Sequence, residues 1–225
     1  MRSALFDLDG TLLDTAPDFY RIICELAELY QQPTPLYQEI RQVASNGGRA
    51  MLTQAFGDQF SRNEESWLNE FLNRYRESPV KDGTLFEGFK EALEWLETQQ
   101  IPWGVVTNKP RSMTDKVLEQ LGLTERCSVS ICPDEVKLAK PDPEGILLAI
   151  DKISASTAQT LYFGDHVRDI EAGRRAGVKT VACSFGYLAE GEDTASWSAD
   201  FTLEKSADLK TFLIQHFDQQ GSADV

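Results

Sequence analysis

The chain has 225 residues, of which 41% are apolar and 26% are charged, a balance typical of a folded globular protein rather than of a disordered or membrane-spanning chain. Its formal net charge of −14 disfavours nucleic acid and anionic lipid surfaces as partners, because like charges repel. An anionic ligand would be repelled as well, so a site for one needs a bound cation and a few placed Lys or Arg side chains. The length fits one core with an accessory lobe.

Neither the cysteines nor the N-terminal segment indicates a secreted or membrane protein. The 4 cysteines form no C-x-x-C pair and lie near no histidine in zinc-ligand spacing, which predicts reduced, buried thiols. Only three apolar residues separate Ser3 from Asp7, too few for a signal peptide, and no apolar run approaches the ~18 residues of a membrane span. We therefore expect a cytoplasmic protein, a monomer or small homo-oligomer, without nucleic-acid or membrane partners.

In chain order, the first predicted element is a strand over residues 3–6, followed by a long stretch with few β-branched runs. Within that stretch, apolar side chains recur at helical spacing over residues 19–30, 36–43 and 67–76. We interpret residues 16–80 as an all-helical lobe inserted into a core formed by residues 1–15 and 81–218. Residues 219–225 are mostly polar and are expected to form a flexible tail.

From residue 80 onward, short apolar runs alternate with helical patterns. Strands are predicted at 101–106, 128–132, 160–163, 180–183 and 201–203, and helices at 89–100, 113–121, 143–153 and 169–176. This alternation is typical of βαβ units, whose right-handed crossovers bury parallel strands between two layers of helices. The predicted fold class is therefore α/β: a doubly wound, Rossmann-like parallel sheet with an inserted helical lobe.

Two carboxylates, Asp7 and Asp9, directly follow the first predicted strand. On an extended chain, residues i and i+2 lie on one side, and Gly10 permits a sharp turn after them. Both side chains can therefore project into the crevice where open α/β sheets bind ligands, which predicts a metal and phosphate site. A calcium loop of the EF-hand type is disfavoured, because its sixth position, counted from Asp7, needs glycine and holds Leu12.

Polar side chains also lie beside later predicted strands. Thr107 and Asn108 follow one strand, where a hydroxyl and helix-end amides could hold phosphate oxygens, although such a pair is also an ordinary helix cap. Lys140 precedes a rigid Pro-Asp-Pro turn, and taken alone it is typical of a solvated surface charge. Asp165 follows another strand and can face the first motif, whereas Asp169 opens the next helix, where the helix dipole alone would favour it.

Taken together, these motifs resemble those of the haloacid dehalogenase-like hydrolase superfamily: Asp7-Leu8-Asp9-Gly10-Thr11, Thr107, Lys140, and Gly164-Asp165 with Asp169. The inserted lobe resembles the helical cap of the phosphoglycolate phosphatase-like branch, so the resemblance covers nearly the whole chain. It implies a phosphatase acting on a small phosphate ester. Asp7 would be the nucleophile that forms an aspartyl-phosphate, and Asp9 would be the general acid and base.

The same resemblance implies a magnesium site and a phosphate site. Mg2+ would be held by three aspartates, with a fourth in support: Asp7, Asp9 through its backbone carbonyl, Asp165, and Asp169 as the supporting residue. The phosphoryl group would be bound by three polar residues: Thr107, Asn108 and Lys140. Oxygen ligands are those that Mg2+ prefers, and this cation would offset the negative charge of the chain.

The family motifs do not assign a role to His166 or to Arg49. His166 stands where Ser or Thr commonly follows Gly-Asp in this family. Gly47 and Gly48 form a hinge-like segment that would bring Arg49 over the crevice, where it would bind an anionic group of the substrate. The alternative interpretation is a plain helix connection that carries a surface arginine.

Three parts of the sequence resemble the N-acetylmuramic acid 6-phosphate phosphatases of peptidoglycan recycling: residues 46–52, 132–134 with 140–144, and 186–187 with 197–200. That amino sugar acid is therefore the expected substrate, and 2-phosphoglycolate is the alternative, since both esters carry a carboxylate. A dehalogenase is disfavoured by Asp9, which phosphatases of the superfamily need and dehalogenases lack. A sugar phosphomutase and a catalytically idle binding module remain as further alternatives.

Overall fold

The computed structural model describes residues 1–221, with side chains through Phe217. Its strands are β1 (Ser3–Phe6), β2 (Leu13–Asp14), β3 (Thr84–Leu85), β4 (Trp103–Val106), β5 (Val129–Ile131), β6 (Thr160–Gly164), β7 (Lys179–Cys183) and β8 (Phe201–Leu203). Six of them form one parallel sheet in the order β5-β4-β1-β6-β7-β8. The strand order reverses direction at β1, so the predicted doubly wound sheet is confirmed.

The helices are α1 (Ala16–Leu29), α2 (Tyr37–Arg41), α3 (Gly47–Phe56), α4 (Asp58–Arg62), α5 (Glu64–Glu77), α6 (Phe89–Thr98), α7 (Arg111–Gln120), α8 (Glu144–Lys152), α9 (Val167–Ala176) and α10 (Leu209–Gly221). Within residues 1–221, none is long and apolar enough to cross a membrane. Helix α10 had not been predicted, and it includes the first three residues of the expected tail. The rest of that tail, residues 222–225, lies outside the described part of the chain.

Alternate side chains of β1 enter two different hydrophobic clusters, one on each face of the sheet. Ala4 and Phe6 pack on one face with apolar residues of α6, α7 and α10. Leu5 points to the other face, where it packs with Ile146 of α8 and Ala172 of α9. This two-residue alternation is the geometry of an extended strand, and β1 is buried throughout because both faces are covered by helices.

Helices α1 to α5 occupy residues 16–77 and bury their apolar side chains mainly against one another. Ile22 and Leu26 of α1 belong to this cluster with Leu52 of α3 and Phe71 of α5. Met113 of α7 is also a member, so the inserted helices rest on the core at that point. These five helices lie between β2 and β3 in the chain.

The Gly-rich segment at Gly47 and Gly48 was predicted as a hinge, and the structure instead makes it the first turn of α3. A helix tolerates glycine best at its ends, since the entropic penalty is felt mainly in the interior. Met51, Leu52 and Phe56 further along the helix are buried, and this packing supports the helical conformation. Gly48 also lies close to the ring of Phe71, leaving little room for a side chain.

A short antiparallel pair, β2 with β3, joins the two chain segments that lead into and out of the inserted helices. Beside it, the buried Asp18 in the first turn of α1 accepts hydrogen bonds from the main chain of the returning segment. The donors are the N–H groups of Lys81 at 2.9 Å, Asp82 at 3.0 Å and Gly83 at 2.8 Å. The Asp18 carboxylate therefore links the start of α1 to the chain segment that returns from the inserted helices.

Asp18→Ala is expected to lower the free energy of unfolding by about 3 kcal/mol, because buried hydrogen bonds to a charged acceptor contribute ~1.5–3 kcal/mol each and their donors would be left unpaired. Urea denaturation of the two proteins measures the difference. Asp58→Ala is the control, since Asp58 is an exposed first-turn aspartate of α4 and its loss should change stability by less than ~0.5 kcal/mol. Equal effects of the two substitutions would contradict the fastening role of Asp18.

Candidate active site

The ends of three neighbouring strands bring together polar residues that lie far apart in the sequence. Phe6 at the end of β1 is in register with Val105 of β4 and Phe163 of β6. The next residues along these strands therefore lie next to one another at the carboxyl ends of the strands. Because the strands are parallel, Asp7 and the residues that follow β4 and β6 all emerge at this end of the sheet.

Three buried aspartates form a compact group at this edge. Asp7, Asp165 and Asp169 are 4%, 1% and 0% exposed, and one carboxylate oxygen from each lies within 4.8 Å of the others. Gly10 makes room for them: it has a φ of +82°, and a Cβ there would lie 2.1 Å from an oxygen of Asp165. Glycine is thus required both for the turn and for the close approach.

Lys140 places its ammonium between two of these carboxylates. Nζ lies 2.7 Å from Oδ1 of Asp7 and 2.7 Å from Oδ1 of Asp169. It also donates to the Val106 carbonyl and to the Tyr162 hydroxyl, each at 2.9 Å. The lysine predicted as a phosphate ligand is therefore buried beside the carboxylate predicted as the nucleophile.

The charges in this group are unequally balanced. Burial tends to raise the pKa of Asp7, but the Lys140 ammonium and the Arg168 guanidinium together hold that pKa below its ordinary value. Burial, with the charges of Asp7 and Asp169, raises the pKa of Asp165 to about 7. Burial likewise raises the pKa of Asp169, against the effect of Lys140. Three carboxylates thus share too little positive charge, and a cation among them would relieve the imbalance.

Asp9 lies beside this group but is held by other partners. Lys109 Nζ lies 2.8 Å from Oδ1 and 2.9 Å from Oδ2 of Asp9, and the Thr15 hydroxyl donates to Oδ1 at 2.7 Å. The Asp9 carboxylate therefore does not join the triad. Lys109 was missed as a site residue, although it stands two positions after Thr107 in the same motif, where the chain turns from β4 toward α7.

The two polar residues predicted to hold phosphate have different surroundings. Thr107 is 5% exposed and lines the site, and its hydroxyl accepts a hydrogen bond from the Lys109 N–H at 3.1 Å. Both side-chain polar atoms of Asn108 are used on the main chain of Lys140, one accepting from its N–H and one donating to its carbonyl, each at 3.0 Å. The Asn108 side chain thus positions Lys140 rather than pointing free amide atoms into the site.

The structure does not bring Arg49 to the site. Its side chain is 65% exposed, pairs with Glu64 at the start of α5 and is absent from the lining of the site cavity. Ser45, just before α3, makes the contact instead: its hydroxyl donates to Asp165 Oδ2 at 2.8 Å. The main-chain N–H of Tyr187 donates to the same oxygen at 2.9 Å.

His166 caps the N-terminus of α9. Its Nδ1 accepts a hydrogen bond from the Arg168 N–H at 3.1 Å, while its own N–H donates to Asp169 Oδ2 at 3.1 Å. Burial, followed by the charge of Arg168, lowers the pKa of His166 to about 4, so the ring is neutral and its nitrogen can accept. His166 thereby performs the capping that a Ser or Thr side chain performs at many helix starts.

The site opens into a cavity of about 240 Å3, here called the central cavity. Its floor includes Asp7, Asp9 and Thr107, and the inserted helices cover it from the opposite side. The covering surface is largely apolar, with polar atoms at its edges: Phe19, Ser45, Asn46, Gly48, Met51, Phe71, Leu72, Tyr75 and, from the core, Arg168. A ligand in this cavity would contact both the catalytic carboxylates and the inserted helices.

Sequence comparisons show what this chain is similar to. A family model described as haloacid dehalogenase-like hydrolase matches residues 4–183. N-acetylmuramic acid 6-phosphate phosphatases of Pseudomonas putida and Pseudomonas aeruginosa are 43% and 40% identical; each alignment covers 93% of this chain, and 95% and 93% of the respective relative. A phosphoglycolate phosphatase of Xanthomonas campestris pv. campestris is 39% identical over 92% of this chain and 94% of its own length.

Solved structures agree on the fold. A structure described as a predicted phosphoglycolate phosphatase from Haemophilus somnus has a TM-score of 0.82 at 24% identity, covering 95% of this chain and 98% of that one. A HAD-superfamily hydrolase from Geobacter sulfurreducens has a TM-score of 0.71 at 24% identity, covering 95% and 96%. With the family match and the sequence relatives, the predicted phosphatase enzyme is confirmed, and the chain belongs to the haloacid dehalogenase-like hydrolases.

Proposed function

We propose that this protein is a Mg2+-dependent phosphomonoesterase that works through an aspartyl-phosphate on Asp7, with N-acetylmuramic acid 6-phosphate as its substrate. The observation that carries the mechanism is the buried triad of Asp7, Asp165 and Asp169 at the strand ends, with the Lys140 ammonium 2.7 Å from two of its members. Such a floor suits a phosphoryl group, because cations can neutralise its oxygens while a carboxylate attacks in line.

The residues present fit a magnesium ion. The triad offers hard oxygen ligands of the kind Mg2+ prefers. Oδ1 of Asp7 is buried, and within the described residues its one polar contact is the ion pair with Lys140 at 2.7 Å, so it keeps capacity to bind a cation. Asp7 and Asp165 would be ligands, and Asp169, which the sequence placed in support, lies equally close. When bound, the ion would offset the charge of the phosphoryl oxygens.

The protein residues then have separate tasks. An oxygen of Asp7 forms a bond to phosphorus as the ester oxygen leaves, and water later cleaves the aspartyl-phosphate to regenerate the carboxylate. Lys140 and the Thr107 hydroxyl bind phosphoryl oxygens and reduce charge repulsion. Asp9 gives a proton to the leaving alcohol and afterwards takes one from the attacking water. Lys109, which holds Asp9, orients this carboxylate toward the floor.

Support for the amino sugar acid comes from the relatives and from the central cavity. Relatives named N-acetylmuramic acid 6-phosphate phosphatase are 43% and 40% identical, while a relative named phosphoglycolate phosphatase is 39% identical. Sequence identity alone therefore does not decide between the two candidate substrates. The cavity of about 240 Å3 has an apolar cover that would pack against a sugar ring and an acetyl methyl group, whereas a two-carbon acid has nothing to place there. We therefore favour the larger substrate.

The deciding measurement is phosphate release with Mg2+ from N-acetylmuramic acid 6-phosphate and from 2-phosphoglycolate on one enzyme preparation. We expect kcat/KM to favour the amino sugar acid by about 100-fold or more, which corresponds to ~2.7 kcal/mol of differential transition-state binding. The reverse preference would make the protein a phosphoglycolate phosphatase. Turnover of p-nitrophenyl phosphate alone would retain the phosphatase mechanism and reject both substrates.

Asp7→Asn is expected to abolish turnover and leave the fold intact, because the amide is nearly isosteric but is a poor nucleophile. Initial rates and circular dichroism measure the two properties. The mass spectrum of acid-quenched wild type should show one added phosphoryl group that the variant lacks. Asp115→Asn, at an exposed aspartate of α7, is the control and should keep the wild-type rate. An active Asp7→Asn enzyme would exclude the covalent mechanism.

Mg2+ binding is expected to strengthen as the pH rises toward 7, because Asp165 with a pKa of about 7 must lose a proton before its carboxylate can coordinate. This raised pKa also means that metal-free protein loses stability as pH rises through about 7, and Mg2+ should restore it. Calorimetric titration with Mg2+ in two buffers of different ionisation heat measures the affinity and the released protons. Asp165→Asn should remove the proton release, and a wild-type affinity that does not change with pH would argue against this site.

A further inference from the structure

Three cationic side chains surround the catalytic carboxylates, and two of them are already paired. Lys140 lies 2.7 Å from Asp7 and from Asp169, and Lys109 is bound to both oxygens of Asp9. Arg168 is different, because none of the carboxylates in residues 1–217 forms an ion pair with it. Its charge acts on Asp7 at longer range, but no carboxylate of the described residues pairs with its N–H groups, which can therefore bind an anion from outside.

Not all N–H groups of the Arg168 guanidinium have hydrogen-bond partners among the described residues. The side chain is half-buried and lines the central cavity. One Nη atom donates to the main-chain carbonyl of Ser45, which fixes the orientation of the group. Its Nε is buried and has no hydrogen-bond partner in the described residues. A buried N–H without a partner is costly, and a planar guanidinium binds a carboxylate through two of its N–H groups at once.

The contact with Ser45 shows which part of a substrate Arg168 would meet. Thr107 lines the central cavity with Asp7, which pairs with Lys140, and the phosphoryl group would be bound there. Ser45 and Gly48 belong to the inserted segment, which also lines this cavity, and the Ser45 hydroxyl bonds to Asp165. Helix α3 begins next to Ser45 with a first turn that no side chain caps, and its positive dipole end adds to the attraction for an anion. Arg168 therefore lies where the catalytic carboxylates meet the inserted segment, so a substrate group that extends from the phosphoryl site toward the inserted helices would pass it.

We propose that Arg168 is the specificity residue of this phosphatase and binds a carboxylate on the non-phosphate part of its substrate. The inference rests on the proposed function and adds the chemical feature by which the substrate is recognised. It assigns to Arg168 the role that the sequence had suggested for Arg49, which is instead exposed and paired with Glu64. Both candidate substrates carry such a carboxylate, so the role of Arg168 holds for either.

The test compares each acid with its own carboxamide, which has nearly the same shape and no charge. The two pairs are N-acetylmuramic acid 6-phosphate with its lactyl amide, and 2-phosphoglycolate with 2-phosphoglycolamide. For the pair that the enzyme accepts, wild type should prefer the acid by about 100-fold in kcat/KM, or ~2.7 kcal/mol. In Arg168→Gln the preference should fall to within about 3-fold, mostly through loss of the acid substrate.

Arg49→Gln is the matched control, because it removes an arginine from the inserted helices that does not line the central cavity. It should keep the wild-type preference. A thermal melt of Arg168→Gln checks that the variant is folded, and Arg168→Lys, which keeps the charge but not the planar fork, should recover part of the preference.

Equal losses on acid and amide in Arg168→Gln would overturn the inference and assign the residue to the phosphoryl group. A wild-type enzyme that hydrolyses an acid and its amide equally well would also overturn it, while leaving the proposed phosphatase function standing. If wild type cleaves p-nitrophenyl phosphate but neither acid, the substrate proposal and the carboxylate inference both fail, and the phosphatase mechanism remains.

Discussion

The ion pairs of Lys140 are the interaction on which the active site depends. A carboxylate buried without a partner would be strongly destabilising or would become protonated, yet Asp7 and Asp169 are both buried and both face this ammonium at 2.7 Å. Asn108 holds the main chain of Lys140 in place with two hydrogen bonds. Asp165 has no comparable cationic partner, and burial, followed by the charges of Asp7 and Asp169, raises its pKa.

The sheet provides the framework for this arrangement. With β1 between β4 and β6, the strand ends bring Asp7, Thr107 and Asp165 to one edge. The glycines next to these strands are equally necessary, because a Cβ at Gly164 would lie 2.2 Å from Cβ of Asp169. The carboxylates are consequently packed against bare main chain, which keeps their positions fixed relative to the strands.

The inserted helices supply what the framework lacks, namely a surface that can distinguish one phosphate ester from another. Their contacts with the core meet at the active site: Ser45 bonds to Asp165, and Arg41 donates to the carbonyls of Phe185 and Gly186 at 3.0 and 2.9 Å. Binding energy from the covering surface and Arg168 can therefore act directly above the reacting atoms. Residues of both parts of the chain line the central cavity, with Arg168 from the core and Ser45 and Gly48 from the inserted segment.

The sequence by itself determined the parallel fold and most of its core strands and helices, because these follow from local periodicity. It also placed Asp7, Thr107 and Asp165 at strand ends, whereas Lys140 was singled out only by its resemblance to a family motif. It did not determine which cations pair and which stay free. Arg49 and Arg168 are both arginines near glycines or helix starts, and only the packing of α3 on α5 and of α9 on β6 directs one to Glu64 and the other to the central cavity. Side-chain direction depends on contacts between segments distant in sequence, so that choice belonged to the tertiary structure alone.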